Sequence, residues 1–276
     1  MNGGVHTMSP AAMMAMALAI SAALALLTWL VSLFKRDVSI VDGVWSLLIL
    51  ASALTYVLLA SGAAGLAHPA LILMIVWALR LSLHITLRGW GEPEDCRYQI
   101  IRARNQPNFA FKSLYLVFAL QAVLAWIVSF PLMVIADVGS AEPVSRWLFV
   151  CGLVVAVGGL VYEAVADRQL AVFARDAANH GQVMTGGLWR YSRHPNYFGE
   201  FIFWWGMFFA VIGLAGAGAA WTVLSPLLMS MLLLKVSGVP MLEHGIAERR
   251  PGYRAYVLGT NAFFPGASRL GGAGHD

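Results

Sequence analysis

The sequence predicts an all-α fold: a polytopic membrane protein of about seven transmembrane helices, with the N-terminus outside and the C-terminus cytoplasmic. Composition is the first reason. Of the 276 residues, 59% are hydrophobic and 12% charged, whereas a soluble domain is about a quarter charged; mean hydropathy is +0.72. Segmentation is the second. Apolar runs near the ~20 residues that cross a bilayer as a helix fall at 11–34, 38–60, 69–88, 112–136, 146–166, 198–215 and 220–240. Charge placement is the third. Lys35 and Arg36, then Arg88, Arg97, Arg102, Arg104 and Lys112, then Arg168, Arg175, Arg190 and Arg193, and last Arg249, Arg250, Arg254 and Arg269 occupy alternate connections. The intervening loops 61–68, 137–145 and 214–219 hold no Lys or Arg. Positive residues mark the cytoplasmic side, and an odd number of crossings places the termini on opposite faces.

Each run has its own signals. The first follows ten residues free of Lys and Arg and exceeds the roughly 7–15 apolar residues of a signal-peptide core, so it reads as a spanning helix. The second holds Asp42 near its start. The third closes with Arg80, His84 and Arg88, four apart and therefore on one face. The fifth ends on Glu163 and Asp167. The sixth is opened by Pro195, which suits a first helical turn because its missing N–H costs nothing there. "GLAGAGAA" (213–220) separates the last two, as a tight external turn or as a weak point in one bent hairpin. No stretch is polar enough for a soluble domain, so residues 1–276 form a single integral-membrane domain, with a C-terminal half near 146–265 available for a cofactor. Cys96 and Cys151 lie far apart with no CxxC, which supports neither a disulfide nor a zinc site; no metal is expected. The formal charge of +4 is spread over several loops, so no nucleic-acid partner is expected.

The ionisable residues inside the runs share a depth. Asp42, Arg80, His84, Glu163, Asp167, Glu200 and Lys235 all fall in the cytoplasmic half or at its edge. At about 1.5 Å per residue, Arg80 lies some 12 Å deeper than Arg88. Charges in hydrocarbon normally face one another or a watery cavity. Snorkelling to the headgroups accounts for Lys235 and Arg88, but poorly for the short side chain of Asp42. The expectation is a polar cavity open to the cytoplasm, with mutual pairing of these charges as the alternative.

"GGLWRYSRHPNYFGEFIFWWG" (186–206) is the densest polar stretch. A helix beginning at Pro195 would point its positive end at the cytoplasm, beside Arg190, Arg193 and His194, which suits an anion such as a diphosphate. Asn196 and Glu200, one turn apart, can read an amide or a ring edge, and Tyr191, Tyr197 and Trp204 offer flat surfaces. An ordinary interfacial belt would need neither a buried Glu nor an Asn one turn before it. A second cluster, "MLEHGIAERRPGYRAYVLGTNAFFP" (241–265), carries Glu243, His244 and Glu248, a break at Pro251–Gly252, then Tyr253 and Tyr256; it could cover a cofactor or meet anionic headgroups.

"RYSRHPNYFGE" followed by a hydrophobic hairpin and "ERRPGYRAYV…FFP" resembles the C-terminal half of the steroid 5-alpha-reductase family, and "VDGVWS", "GEPEDCRY" and "SLYLVFALQAVLAWIVSFPL" resemble its bacterial, uncharacterised branch. The resemblance covers nearly the whole chain. It implies a seven-helix fold in the bacterial inner membrane that binds NADPH from the cytoplasm and reduces a carbon–carbon double bond of an enone lipid or steroid-like substrate. It implies cofactor contacts from Asn196 and Glu200 (the NxxGE motif), Asp167, Tyr256 and Tyr253, with Tyr197 in the same motif and Arg80 and His84 where the family has basic residues. The family's early Gln–Glu pair and its tyrosine in the next polar helix are absent. A donor to the substrate carbonyl must come from Asp42, Tyr98 or His84, and steroid specificity is not implied. The rivals are an S-adenosylmethionine-dependent methyltransferase of the isoprenylcysteine or phospholipid type, which shares RHPxYxG, and a non-enzymatic lipid-binding membrane protein.

Overall fold

The computed structural model describes residues 8–60, 68–139, 141–236 and 252–267. The expectations for loop 61–67, the end of the last run at 237–240, and Glu243, His244, Glu248, Arg249, Arg250, Pro251 and Arg269 lie outside the described residues. Among the described residues the fold is entirely helical. Seven helices are long and apolar enough to cross a membrane: α1 (Pro10–Lys35), α2 (Ile40–Leu59), α3 (Pro69–Arg88), α5 (Phe109–Val128), α7 (Arg146–Arg175), α8 (Pro195–Ala215) and α9 (Ala217–Lys235). Three shorter helices join them: α4 (Cys96–Arg104), α6 (Phe130–Val138) and α10 (Tyr253–Gly259).

Helix ends follow local chemistry. Ser9 caps α1 by accepting the Ala12 N–H at 3.3 Å, with Pro10 in the first turn. Arg36 stops α1 in the left-handed region at φ 55°. Gly216, at φ +75°, makes the turn between α8 and α9, and α9 starts with a 3₁₀ stretch over Ala217–Val223. The "GLAGAGAA" segment is therefore a tight turn.

Two expected boundaries are corrected. The run 112–136 is not one helix: α5 ends at Val128 after a π-helical turn over Leu114–Ala119, and α6 starts afresh at Phe130. Pro131 has no N–H to continue the ladder and its ring crowds the preceding turn. At the break the Ser129 hydroxyl donates to Trp126 O at 2.7 Å, and the Ser129 N–H donates to the same oxygen at 3.2 Å. The fifth run does not stop at residue 166. The ten residues "ADRQLAVFAR" (166–175) are mostly good helix formers, so α7 continues to Arg175, and Asp176 caps the following turn through the Ala178 N–H at 2.9 Å. At 30 residues α7 is about 45 Å long, against a hydrocarbon layer of about 30 Å.

The chain divides into two compact units, Met1–Val150 with Phe208–Ser225, and Cys151–Met207 with Pro226–Asp276. In the first, α2 packs against α1, α3, α5 and α6 and is the most buried of that unit's four long helices. Side-chain hydrogen bonds tie this bundle where water is absent: Ser21 meets Ser52 at 2.7 Å, Ser46 donates to Ala78 O at 2.8 Å, and Trp126 donates to Met14 O at 2.9 Å. In the second unit α7 and α8 run antiparallel at backbone distance. A Cβ on Gly199 would lie 2.8 Å from Glu163 Cα, one on Gly159 would lie 2.9 Å from Phe203 Cα, and one on Gly206 would lie 2.8 Å from Ala156 Cα. Small residues of this kind let membrane helices approach, and here they bring the polar residues of α7 and α8 together.

Candidate functional site

The first unit builds one polar cluster. Asp42 stands in the first turn of α2. Tyr98, on α4, donates its hydroxyl to Asp42 Oδ1 at 2.6 Å, and Arg97 Nη2 donates to Asp42 Oδ2 at 2.7 Å. Arg97 Nε also donates to Asp95 Oδ1 at 2.9 Å, and Asp95 caps α4 by accepting the Arg97 N–H at 2.9 Å. Glu94 completes the strap: it accepts the Val38 N–H at 2.8 Å and a two-pronged bond from Arg102 at 2.9 and 2.7 Å. Bidentate guanidinium pairing, the strong form of this contact, thus braces α4 against its own loop, and the Arg97–Asp42 and Val38–Glu94 bonds tie that loop to the start of α2.

Electrostatics follow the geometry. Burial, then the adjacent Asp42 charge and the hydrogen bond to it, push the Tyr98 phenol well above its ordinary 10.0, so it remains a donor at neutral pH. Burial opposes the Arg97 charge, but Asp42 and Asp95 outweigh it and raise the guanidinium further. Burial alone would raise Glu94; the Arg102 and Val38 hydrogen bonds win and hold it below its ordinary 4.5. Because the folded value is depressed, Glu94 stabilises the fold fully above pH 4.5, and that contribution fades as pH falls through the lower folded value. Thermal melts of wild type are therefore expected to lose stability on acidification below about pH 4.5 more steeply than melts of Glu94→Gln. Parallel curves would remove Glu94 from this role.

A cleft of about 1010 Å³ opens beside this cluster, with Asp42 and Arg97 in its walls. It lies between the ends of α1 and α3 and is roofed by the 89–95 loop. Arg80 and His84 are half-buried, one turn apart on α3.

The second unit builds the other cluster. Glu163, Asp167, His194 and Glu200 are all buried, at 1%, 4%, 6% and 6% exposure. Asn196 donates from Nδ2 to Asp167 Oδ1 at 3.1 Å, joining residues 29 apart in sequence. The His194 ring stacks on Tyr197, centroids 5.7 Å apart and planes within 13°. Around this core the "RYSRHPNY" stretch is bolted to the chain's last described segment. Tyr256 donates to Trp189 O at 2.5 Å, Ser192 Oγ donates to Phe263 O at 2.7 Å, and Arg193 Nη1 donates to Val257 O and Thr260 O at 3.0 Å each. Trp189 Nε1 in turn donates to Ala166 O on α7 at 3.0 Å. Tyr253 lies against Tyr256, ring centroids 6.0 Å apart. Arg190 is exposed.

The candidate residues thus fall into two groups. Asp42 and Tyr98 are in direct contact in the first unit; Asp167 and Asn196 are in direct contact in the second, with Glu163, His194, Tyr197 and Glu200 on the same two helices or at their ends. Arg193 and Tyr256 both donate to backbone carbonyls, a positioning geometry. Glu94, Asp95, Arg97 and Arg102 were missed as site residues, as were Trp189 and Ser192. For the first four a signal existed: two acids followed at two and eight residues by arginines, within the quoted "GEPEDCRY" motif and its continuation. For Trp189 and Ser192, whose partners are backbone atoms far along the chain, no such pattern exists.

Fold and clusters together define an integral membrane protein with seven apolar helices among the described residues and a cluster of polar groups in each unit. The chain belongs to the family described as protein of unknown function (DUF1295), whose model matches residues 28–260. No curated protein and no solved structure matches it significantly.

Proposed function

We propose that this protein is a membrane-embedded NADPH-dependent reductase acting on a carbon–carbon double bond conjugated to the carbonyl of a lipid, in the manner of the steroid 5-alpha-reductases its motifs resemble. The observation that carries the reading is the contact between buried Asp167 and half-buried Asn196, one turn before buried Glu200. These are the residues the resemblance assigns to the cofactor, and they are brought together on paired helices. The donor set fits a dinucleotide: an amide and carboxylates suited to a carboxamide or ribose, an exposed Arg190 for phosphate, and the stacked His194–Tyr197 pair. Arg193 and Tyr256 support that set by fixing the chain around it. The nucleotide binds from the cytoplasmic side in this reading, with the Lys- and Arg-rich ends of the helices facing inward.

When bound, NADPH supplies the hydride. Within the first unit, the Tyr98 phenol is the donor this reading assigns to a carbonyl oxygen that gains negative charge; to act there, its one O–H would turn from Asp42 Oδ1 to that oxygen. Asp42, itself held by Arg97, keeps the phenol in place. The reading is tested by thermal melts of the detergent-purified protein. NADPH is expected to raise the melting temperature more than S-adenosylmethionine does, since a ligand stabilises the fold that binds it. The reverse ranking would transfer the site to methyl transfer.

A further inference from the structure

From the cleft beside Asp42 we infer that the protein binds a zwitterionic phospholipid, with one acyl chain along α1 and the headgroup at the charged rim. The cleft is amphipathic along its length. Its α1 wall is Leu24, Leu27 and Val31, and Leu27 and Val31 are 59% and 48% exposed, so this wall is open to the side from which a bilayer lipid arrives. Its rim carries Lys35, Arg36 and Arg88. Among the described residues no carboxylate makes an ion pair with any of these three; Asp42, Asp95 and Glu94 are paired with Arg97 and Arg102 instead. Lys35 instead sits over the ring of Trp90, 5.6 Å from its centroid, and Trp90 is 75% exposed, a headgroup-level arrangement of cation and indole.

The rim also carries acids. Asp37 and Glu92 line it, and Asp42, Asp95 and Arg97 together leave one further negative charge. Three cations against three negative charges give a rim of no net charge, which matches a headgroup holding both a phosphate and an ammonium better than one holding phosphate alone. The volume, about 1010 Å³, is at the upper end for small-molecule pockets, which leaves room for a chain as well as a headgroup. Binding of this lipid stands on the cleft alone. It does not rest on the reductase reading, whose substrate carries a double bond conjugated to a carbonyl that this phospholipid lacks.

The test is native mass spectrometry of the full chain in detergent, without nucleotide, titrated with dioleoylphosphatidylethanolamine, dioleoylphosphatidylglycerol or dioleoylglycerol. Phosphatidylethanolamine is expected to bind about tenfold tighter than dioleoylglycerol and ahead of phosphatidylglycerol. Lys35→Gln/Arg88→Gln is expected to erase the advantage over dioleoylglycerol. Arg104→Gln, on an exposed turn of α4 away from the rim, is expected to keep it. Equal binding of phosphatidylethanolamine and dioleoylglycerol to wild type, a lead for phosphatidylglycerol, or equal loss in Arg104→Gln would overturn the inference. The wild-type ranking decides even if the double variant does not fold. Each of these failures leaves the nucleotide test standing, and a failed nucleotide test leaves the lipid ranking standing.

Discussion

Asp42→Asn is expected to lower turnover by about a hundredfold while leaving stabilisation by NADPH unchanged. The carboxylate accepts from Tyr98 at 2.6 Å and from Arg97 at 2.7 Å, so it orients the phenol that the proposed function assigns to the substrate carbonyl. An asparagine keeps the size but offers Arg97 only a neutral oxygen, and its NH₂ end cannot accept from the phenol. Tyr98→Phe removes the donor outright and is expected to match that loss in kcat with little change in KM, the signature of an interaction made only in the transition state. Turnover is measured as loss of nicotinamide absorbance with an enone lipid, and cofactor binding as the melting-temperature shift. A fully active Tyr98→Phe would remove the phenol from the chemistry. A parallel loss of the NADPH-induced shift would recast Asp42 as a residue that maintains the fold.

Neighbouring glycines on α7 are expected to respond in opposite directions. A Cβ on Gly159 would fall 2.6 Å from Gly199 O and 2.9 Å from Phe203 Cα, whereas a Cβ on Gly158 meets nothing within 4 Å. Gly159→Ala must therefore push two backbones apart, at a cost of about 1–3 kcal/mol, with a lower melting temperature and a displaced Asp167–Asn196 contact. Gly158→Ala only gains helix propensity, about 0.5–1 kcal/mol, and its melting temperature is expected to rise. Equal shifts in the two variants would mean that α7 and α8 do not meet at backbone distance.

The helices were legible wherever a single physical cause ruled. Bilayer thickness sets the length of an apolar run, and Pro10, Pro69 and Pro195 mark three helix starts because a first turn tolerates proline. Pro131 belongs to the same class of signal. It was hidden by the unbroken apolar stretch around it, and the hydropathy that makes a run look continuous says nothing about a missing N–H. The overhang of α7 was hidden for the opposite reason: Asp167, Arg168 and Arg175 look like loop because they are charged, but charge ends a crossing without ending a helix. At the clusters, Asn196 and Glu200 could be read from their spacing on one helix. The Asp42–Arg97–Tyr98 contact depends on how a loop folds back across 55 positions, which no periodicity encodes. Between these extremes stand Gly199, Gly206 and Gly213, whose spacing of seven was open to view and gained meaning only from the partner backbone.

The length of α7 has a consequence for access. A rod half as long again as the oily layer is thick leaves up to about a third of itself outside, so the stretch from Ala166 to Arg175 rises like a post toward headgroups and water, with Gln169 braced by the Leu188 N–H. Proteases, antibodies and charged labels added on that side can reach this post without entering the bilayer, and it offers a handle on a protein otherwise largely shielded by lipid.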